Sequence, residues 1–178
     1  MHGPDEFQFQ RFLCAHTIML GLEGIPGVYI HSLLGTTNDY EKVTNTGQSR
    51  SINRHRWDYN ALSHELDDAY SLHHQVLTQM TQLIAIRNSQ SAFHPNATQF
   101  TLQLGNQIFG YWRQSIDRKQ SVFCISNVSK EPQAIHLSDI NLIGTDEWVD
   151  LLTQTSLHTQ MQNITLAPYQ SAWITNRF

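Results

Sequence analysis

GIPGVYIHSLLGTTNDYEKVTNTGQSRSINRHRW, residues 24–57, is the most informative segment of this chain. A short apolar run opened by Gly-Ile-Pro leads into a long polar segment with an Asn-Asp pair and the arginines Arg50, Arg54 and Arg56. The strands of an α/β barrel lead in this way from a buried run into loops at the active-site face. The stretch therefore predicts a strand over Gly27 to Ile30, followed by a functional loop.

Helical patterns lie on both sides of this stretch. The apolar positions of the first fall at helical spacing before Gly24 and Pro26 end the pattern: Phe9, Phe12, Leu13, Met19 and Leu20. The second runs roughly from Tyr70 to Ser89, with Leu72, Val76, Met80, Leu83 and Ile84 on one stripe. Residues 31–69 between strand and second helix are too long for an ordinary connection, and the aromatic residues Tyr40, Trp57 and Tyr59 favour an ordered segment.

Beyond residue 95 the pattern changes to short alternating runs, which predict an antiparallel β domain over 96–178. The predicted strands are 99–104, 107–113, 121–127, 133–137, 147–152, 163–166 and 171–175. The large apolar residues of this half are candidates for its core: Phe109, Trp112, Phe123, Ile125, Trp148 and Trp173. Residues 1–95 offer a single strand between two helices, and unpaired buried backbone groups cost about 1 to 3 kcal/mol each. We therefore expect that the missing barrel strands lie upstream in a longer parent chain, or that this chain completes its fold by association.

Composition narrows the partners and the compartment. The chain has 178 residues, 40% of them hydrophobic, and a net charge of -4 with neutral histidines, so bulk basicity does not suggest a nucleic-acid partner. No apolar run approaches the length of a membrane span, so no membrane partner is expected. Cys14 and Cys124 each sit in an apolar run and read as buried thiols, which predicts a cytoplasmic location. The histidines lack acidic or cysteine partners at ligand spacing, so no metal is expected.

Four segments carry a resemblance to a known family: QRFLCAHTIMLGLEGIPGVYI, NDYEKVTNTGQSRSINR, LIAIRNSQSAFHPNATQ and ITLAPYQSAWI. Together they resemble the C-terminal part of the α-amylase superfamily, and IHSLLGTTNDY followed by GQSRSINR is most similar to sucrose phosphorylases and related glycoside phosphorylases. The resemblance implies an α/β plus all-β fold, the C-terminal end of a (β/α)8 TIM barrel over residues 1–95 followed by the β domain. Residues 7–22 would be the seventh barrel helix, 25–30 the eighth strand and 70–89 the eighth helix.

The resemblance also implies a chemistry, the retaining double displacement of a glycosyltransferase. A carboxylate attacks the anomeric carbon, a glutamic acid protonates the leaving oxygen, and inorganic phosphate as co-substrate releases glucose 1-phosphate. In the family those carboxylates come from the fourth, fifth and seventh strands, which this sequence does not contain, so no catalytic residue is assigned. A small sugar and phosphate are the expected ligands, no cofactor is required, and the upstream part of the chain's own barrel is the expected partner.

Four residues are candidates for substrate or phosphate binding. Arg50 matches the loop arginine that faces the acceptor side in sucrose phosphorylases, and the planar fork of a guanidinium can bind two phosphate oxygens. The alternative is a structural role, in which Arg50 connects the loop to a carboxylate of the barrel. Asn38 and Asp39 match the family pattern just past the strand, where a turn that organises its own loop is at least as plausible. His31 follows the strand directly, although a histidine there is more often structural. Arg54 also matches a regular position, for which a structural role is favoured.

A second hypothesis belongs to another class of function. The chain could be a non-catalytic carbohydrate-binding or interaction module derived from an α-amylase-type enzyme, with the helix–strand–helix half packed against a partner. It predicts a stable product that binds sugar or protein without any upstream chain, whereas a phosphorylase fragment predicts no turnover when alone. Aromatic residues of the β domain, such as Tyr111 and Trp173, could stack on sugar, but core packing is their default role.

Overall fold

The computed structural model describes residues 5–140, 142, 148–157 and 161–176. Contacts within the chain group it into two compact units. The first, called the sheet unit below, is Met1–Pro26 with Leu83–Phe178, and the second, called the loop unit, is Gly27–Gln82. The predicted domain boundary between residues 95 and 96 stays a prediction.

Five α-helices are found in the described residues. They are α1 (Gln8–Gly21), α2 (Ile30–Leu33), α3 (Tyr40–Thr46), α4 (Tyr59–Asp67) and α5 (Leu72–Asn88). Short 3₁₀ turns cover Ser49–Asn53, Ser91–Phe93 and Leu137–Ile140. Both predicted helices are confirmed as α1 and α5, and the prediction that residues 31–69 are ordered is also confirmed. None of the helices in the described part of the chain has the length and apolar character needed to cross a membrane.

The predicted strand over residues 25–30 is not formed. Residues 25–29 have no regular structure, and α2 begins at Ile30, although Tyr29 keeps the extended backbone of a strand at φ -74° and ψ 140°. A parallel strand exists only through hydrogen bonds to its neighbours, and the structure has no strand within residues 27–82 to supply them. The side chains expected to be buried are exposed instead, 86% for Ile25 and 49% for Tyr29.

The β half confirms the predicted antiparallel domain. Its strands are β1 (Thr98–Leu102), β2 (Ile108–Gln114), β3 (Ser121–Asn127), β4 (Gln133–His136), β5 (Trp148–Asp150), β6 (Thr155–Ser156), β7 (Asn163–Leu166) and β8 (Ser171–Asn176). One sheet has the order β1-β2-β3-β8-β5-β6, and β4 pairs with β7 in a second sheet; every pair is antiparallel. The two-residue β6 was not predicted, and Glu147, the first residue of one predicted strand, lies outside the described residues.

The core of the β domain lies between the two sheets. It combines residues of the large sheet with Ile135 and Leu166 from the small one, and its members are Ile108, Phe123, Ile125, Ile135, Leu137, Ile140, Leu142, Leu157, Leu166, Ala172 and Ile174. Phe123, Ile125 and Trp173 are buried as predicted, while Trp112 and Trp148 are partly buried. Phe109 was assigned to the core and is 38% exposed; alternation along β2 places it on the face opposite Ile108, beside Tyr111, with ring centroids 5.6 Å apart.

Helix α1 covers the opposite face of the large sheet, where it packs on β3 and β8. Tyr111, Cys124 and Trp173, opposite one another in the β2–β3–β8 register, are buried on this face. The Tyr111 hydroxyl donates to the Ile18 carbonyl at 2.9 Å. A Cβ on Gly21 would come within 2.2 Å of that hydroxyl oxygen, so only glycine permits this approach of helix and sheet.

Two arginines fix the chain at the C-terminal end of α1. Arg113, fully buried on β2, donates from Nη1 to the Gly21 carbonyl at 2.9 Å and from Nη2 to those of His94 and Ala97 at 2.9 and 3.3 Å. Arg87 donates to the carbonyls of Leu20, Gly24 and Phe93 at 2.8, 3.2 and 3.2 Å. Positive charge at a helix C-terminus is favourable, and the bonds to Leu20 and Gly21 satisfy carbonyls that α1 leaves unpaired.

Candidate functional site

The loop unit is built around Trp57. Its indole Nε1 donates to the Thr36 hydroxyl at 2.9 Å, and the rings of His55 and His73 contact it edge-on with centroids 4.9 Å away in each case. The Nδ1 atom of His73, on α5, lies 2.7 Å from the Leu34 carbonyl oxygen. The histidines therefore hold the loop in place, and the described residues contain no group of three or more histidines, cysteines or carboxylates that could bind a metal.

Asp39 organises the loop from within. One carboxylate oxygen accepts from the Lys42 backbone N–H at 2.8 Å and caps α3, while the other lies 3.1 Å from Nδ1 of His55. The bond from Lys42 lowers the pKa of Asp39, and His55 lowers it further. The Asp39 N–H donates to the Ile52 carbonyl at 2.7 Å. These contacts match the alternative in which Asp39 organises a turn of its own loop. A contact between Asp39 and a sugar stays a prediction.

Asn38 and His31 are the two remaining candidates, and both precede Asp39 in the sequence. The exposed Asn38 side chain approaches the Tyr40 hydroxyl, with 3.4 Å between Nδ2 and Oη. His31 is half-buried on α2, with Nδ1 3.2 Å from the Thr36 hydroxyl and its ring edge-on to Tyr29 at 5.2 Å. Both side chains thus have local partners, and their predicted contact with substrate stays a prediction.

Arg50 lies on the wall of a cavity of about 370 Å³, together with Tyr29, Ile52, Asn53 and Arg54. Its Nε donates to the Gln48 side-chain oxygen at 3.3 Å. In the described part of the chain neither Arg50 nor Arg54 forms an ion pair with a carboxylate. Arg50 is exposed, and its two terminal nitrogens have no partner among the described residues, so they are available to an oxyanion.

The walls of this cavity are fixed by backbone contacts. The Tyr29 hydroxyl donates to the Asn53 carbonyl at 3.1 Å, and the Lys42 ammonium donates to the Arg54 carbonyl. Gly47 ends α3 with φ 65°, a conformation that glycine adopts without strain, and turns the chain into the 3₁₀ turn that carries Arg50. Asn38, Asp39 and His31 are not among the lining residues.

Three residues that line the cavity were not predicted from the sequence: Ile52, Asn53 and Tyr29. Of these, Tyr29 has a signal in the sequence. It sits inside the apolar run Val28–Ile30 and was taken as part of a buried strand. The signal that could have identified it is its alternation with Val28, since neighbours along an extended chain point to opposite sides. A tyrosine also keeps a polar tip that a valine or isoleucine lacks.

The two aromatic residues of the β domain that could have stacked on sugar are buried. Tyr111 and Trp173 are each only 1% exposed, so the core assignment is correct for them. Trp112 stacks between Phe100 and Phe123, with ring centroids 4.8 and 5.8 Å away. These contacts place the rings in packing roles.

The β half matches a known domain family. Residues 89–173 match the family described as Maltogenic Amylase, C-terminal domain. Over 96% of its length the chain also superposes on 34% of an α-amylase from Geobacillus thermoleovorans, with a TM-score of 0.71 at 15% identity. At 15% identity this structural similarity shows the fold alone.

Sequence similarity covers nearly the whole chain. A glucosylglycerate phosphorylase from Escherichia coli is 35% identical over 97% of this chain and 29% of its own length. A sucrose phosphorylase from Agrobacterium vitis is 32% identical over 65% of this chain and 22% of its own length. The chain thus spans less than a third of these curated relatives.

These matches place the chain in the α-amylase superfamily. Within the superfamily, its similarity is to glycoside phosphorylases, the branch to which both of these curated relatives belong.

Proposed function

We propose that this chain is the C-terminal part of a retaining glycoside phosphorylase, a glycosyltransferase that cleaves sucrose or a related α-glucoside with inorganic phosphate to give glucose 1-phosphate. The observation that carries the proposal is the 35% identity to a glucosylglycerate phosphorylase over 97% of the chain. That identity includes the loop unit and therefore the segment that holds Arg50.

Residues 1–95 form the end of the catalytic barrel in this proposal. The loop unit supports this proposal. All of its residues, 27–82, are described, and only Ser51, Val76 and Met80 among them are buried. Several large side chains of the unit are exposed instead: Tyr29, Ile30, Tyr40, Tyr59, Tyr70 and Leu72. Exposed side chains of this size are available for packing against another part of a protein. The upstream part of the chain's own barrel is the proposed occupant.

The proposed chemistry divides between the two parts. A carboxylate of the upstream part attacks the anomeric carbon while an upstream glutamic acid gives its proton to the departing oxygen. A phosphate oxygen then attacks the glucosyl enzyme, returns the carboxylate and forms glucose 1-phosphate. This chain supplies Arg50 to the phosphate or acceptor side. Its own carboxylates in this region have local roles, since Asp39 caps α3 and Asp58 caps α4 through the Ala61 N–H at 3.0 Å.

A cytoplasmic location is part of the proposal. Cys14 and Cys124 are buried and unpaired, and burial raises the pKa of both thiols and keeps them protonated. Inert free thiols of this kind are typical of a reducing compartment.

The module hypothesis remains the second candidate, because one observation favours it. The sheet unit has a core between two sheets and a helix over the opposite face of the large sheet, which is the construction of a domain that folds on its own. The loop unit argues against it, since a free-standing module would leave the exposed residues of that unit uncovered.

The test measures glucose 1-phosphate release from sucrose and from glucosylglycerate. The purified chain is compared with a version extended upstream through its own reading frame, and with the extended version carrying Arg50→Gln. We expect release only from the extended protein, with a raised KM for phosphate in the variant. Release by the short chain would overturn the placement of the catalytic carboxylates. No release from either, together with sugar binding by the short chain, would favour the module.

A further inference from the structure

The positive charge of the loop unit is concentrated in one segment. Residues 42–57 contain four of the eleven lysines and arginines of the chain, namely Lys42, Arg50, Arg54 and Arg56, and no aspartate or glutamate. The whole chain carries a net charge of -4. A local concentration of one sign of charge raises the concentration of counter-ions at that surface. The segment is therefore attractive to anions although the chain as a whole is acidic.

Two of these cations lie on the wall of one cavity. Arg50 and Arg54 line the space of about 370 Å³ described above, and no carboxylate is among the described residues that line it. The Arg54 side chain has neither a hydrogen bond nor an ion pair in the described structure, although its carbonyl is held by Lys42. Arginines with a structural role have the opposite appearance, as Arg113 does with its three carbonyl partners.

We propose that Arg54 is a second anion-binding residue and that Arg50 and Arg54 together hold one oxyanion. Each guanidinium can donate two parallel N–H bonds to a carboxylate or a phosphate, and two such forks on one cavity favour an anion over a neutral hydroxyl compound. This assigns to Arg54 a binding role where the sequence favoured a structural one. The proposal rests on the proposed function, in which the ligand is inorganic phosphate or an acidic group on the acceptor.

The remaining walls of the cavity carry no charge. Ile52 supplies an apolar surface, and the Tyr29 hydroxyl is engaged with the Asn53 carbonyl. Arg56 belongs to the same segment and carries the same charge, but it is not among the lining residues. Arg56 is therefore a matched control for long-range attraction, because removing it changes the charge without changing the cavity.

The test is direct binding to the purified 178-residue chain, measured by isothermal titration calorimetry at low salt. The probes are inorganic phosphate, D-glycerate and glycerol, the last being the neutral counterpart of glycerate. The proteins are the natural chain, Arg54→Gln, Arg54→Lys and Arg56→Gln, each checked by circular dichroism. We expect Arg54→Gln to weaken anion binding about fivefold, Arg54→Lys to weaken it less, and Arg56→Gln to change it by less than about twofold.

The outcomes separate the sources of the anion. Binding of phosphate without glycerate supports the proposal with phosphate as the ligand, and binding of glycerate without phosphate supports it with an acidic acceptor. Absence of anion binding, equal binding of glycerol and glycerate, or equal effects of Arg54→Gln and Arg56→Gln would each overturn it. Because the readout is binding to the chain itself, failure of the extended protein to release glucose 1-phosphate would contradict the proposed function and leave this test unaffected.

Discussion

Replacing Arg113 with methionine should destabilise the sheet unit by about 3 kcal/mol. The guanidinium is fully buried and donates to the carbonyls of Gly21, His94 and Ala97. Hydrogen bonds to a charged group contribute about 1.5 kcal/mol each at the lower end, so three contribute about 4.5. The Nε–H of Arg113 is buried without a partner, and removing it returns roughly 1 to 2 kcal/mol. Methionine fills much of the same volume, so no large cavity is added.

The assay is urea unfolding followed by tryptophan fluorescence, since Trp173 is fully buried in this unit. Arg11→Met is the matched control, because Arg11 is about one-third exposed in its pair with Asp5 and such pairs contribute less than about 1 kcal/mol. Arg113→Lys should fall between the natural chain and Arg113→Met, since an ammonium can reach only some of the three carbonyls. A loss below about 1 kcal/mol for Arg113→Met would refute the assignment of these bonds as a main tie between α1 and the sheet.

Three further substitutions test the core and the electrostatics of a buried carboxylate. Ile125→Ala, at a fully buried position, should cost about 2 to 5 kcal/mol, while Phe109→Ala, at a side chain 38% exposed, should cost markedly less; equal losses in urea unfolding would contradict the core described here. Burial raises the pKa of Asp150 despite its bonds from Thr153 and two backbone N–H groups. Its contribution to stability is therefore present below pH about 4 and lost as pH rises through the raised value, so the stability difference between the natural chain and Asp150→Asn should shift in favour of the variant over that range.

The parts of the fold that the sequence predicted are those with local signals. Strand β3 was predicted with its observed bounds, Ser121–Asn127, because a run of apolar residues between turn residues needs no distant information. The strand over residues 25–30 has an equally clear pattern and is not formed, because a parallel strand also requires neighbouring strands, and none lies within residues 27–82. Strand β6, with two residues, is too short to leave any periodicity.

The candidate site divides in a similar way. Arg50 was identified through the resemblance to a family, and the structure adds that it shares a cavity with Arg54. Asp39 could be placed in a turn from its position, but not assigned to His55, which is distant in the sequence and lies 3.1 Å away in the fold. Tyr29 was not predicted as a site residue because it lies within the apolar run Val28–Ile30, in which it is the one residue with a polar side-chain group.

The arginines of this chain illustrate how structure decides between roles that sequence leaves open. A guanidinium has five N–H donors and cannot lose its charge, so it either binds groups of its own chain or remains available to a ligand. Arg113 gives its terminal donors to backbone carbonyls inside the sheet unit, and burial lowers its pKa without providing a carboxylate partner. Arg50 keeps its terminal donors exposed and Arg54 its whole guanidinium, in the unit that buries the fewest side chains. Guanidinium donors that stay exposed add little to stability. The loop that carries them is therefore ordered by Trp57, Asp39 and the capped helices, and its exposed donors remain available to a ligand.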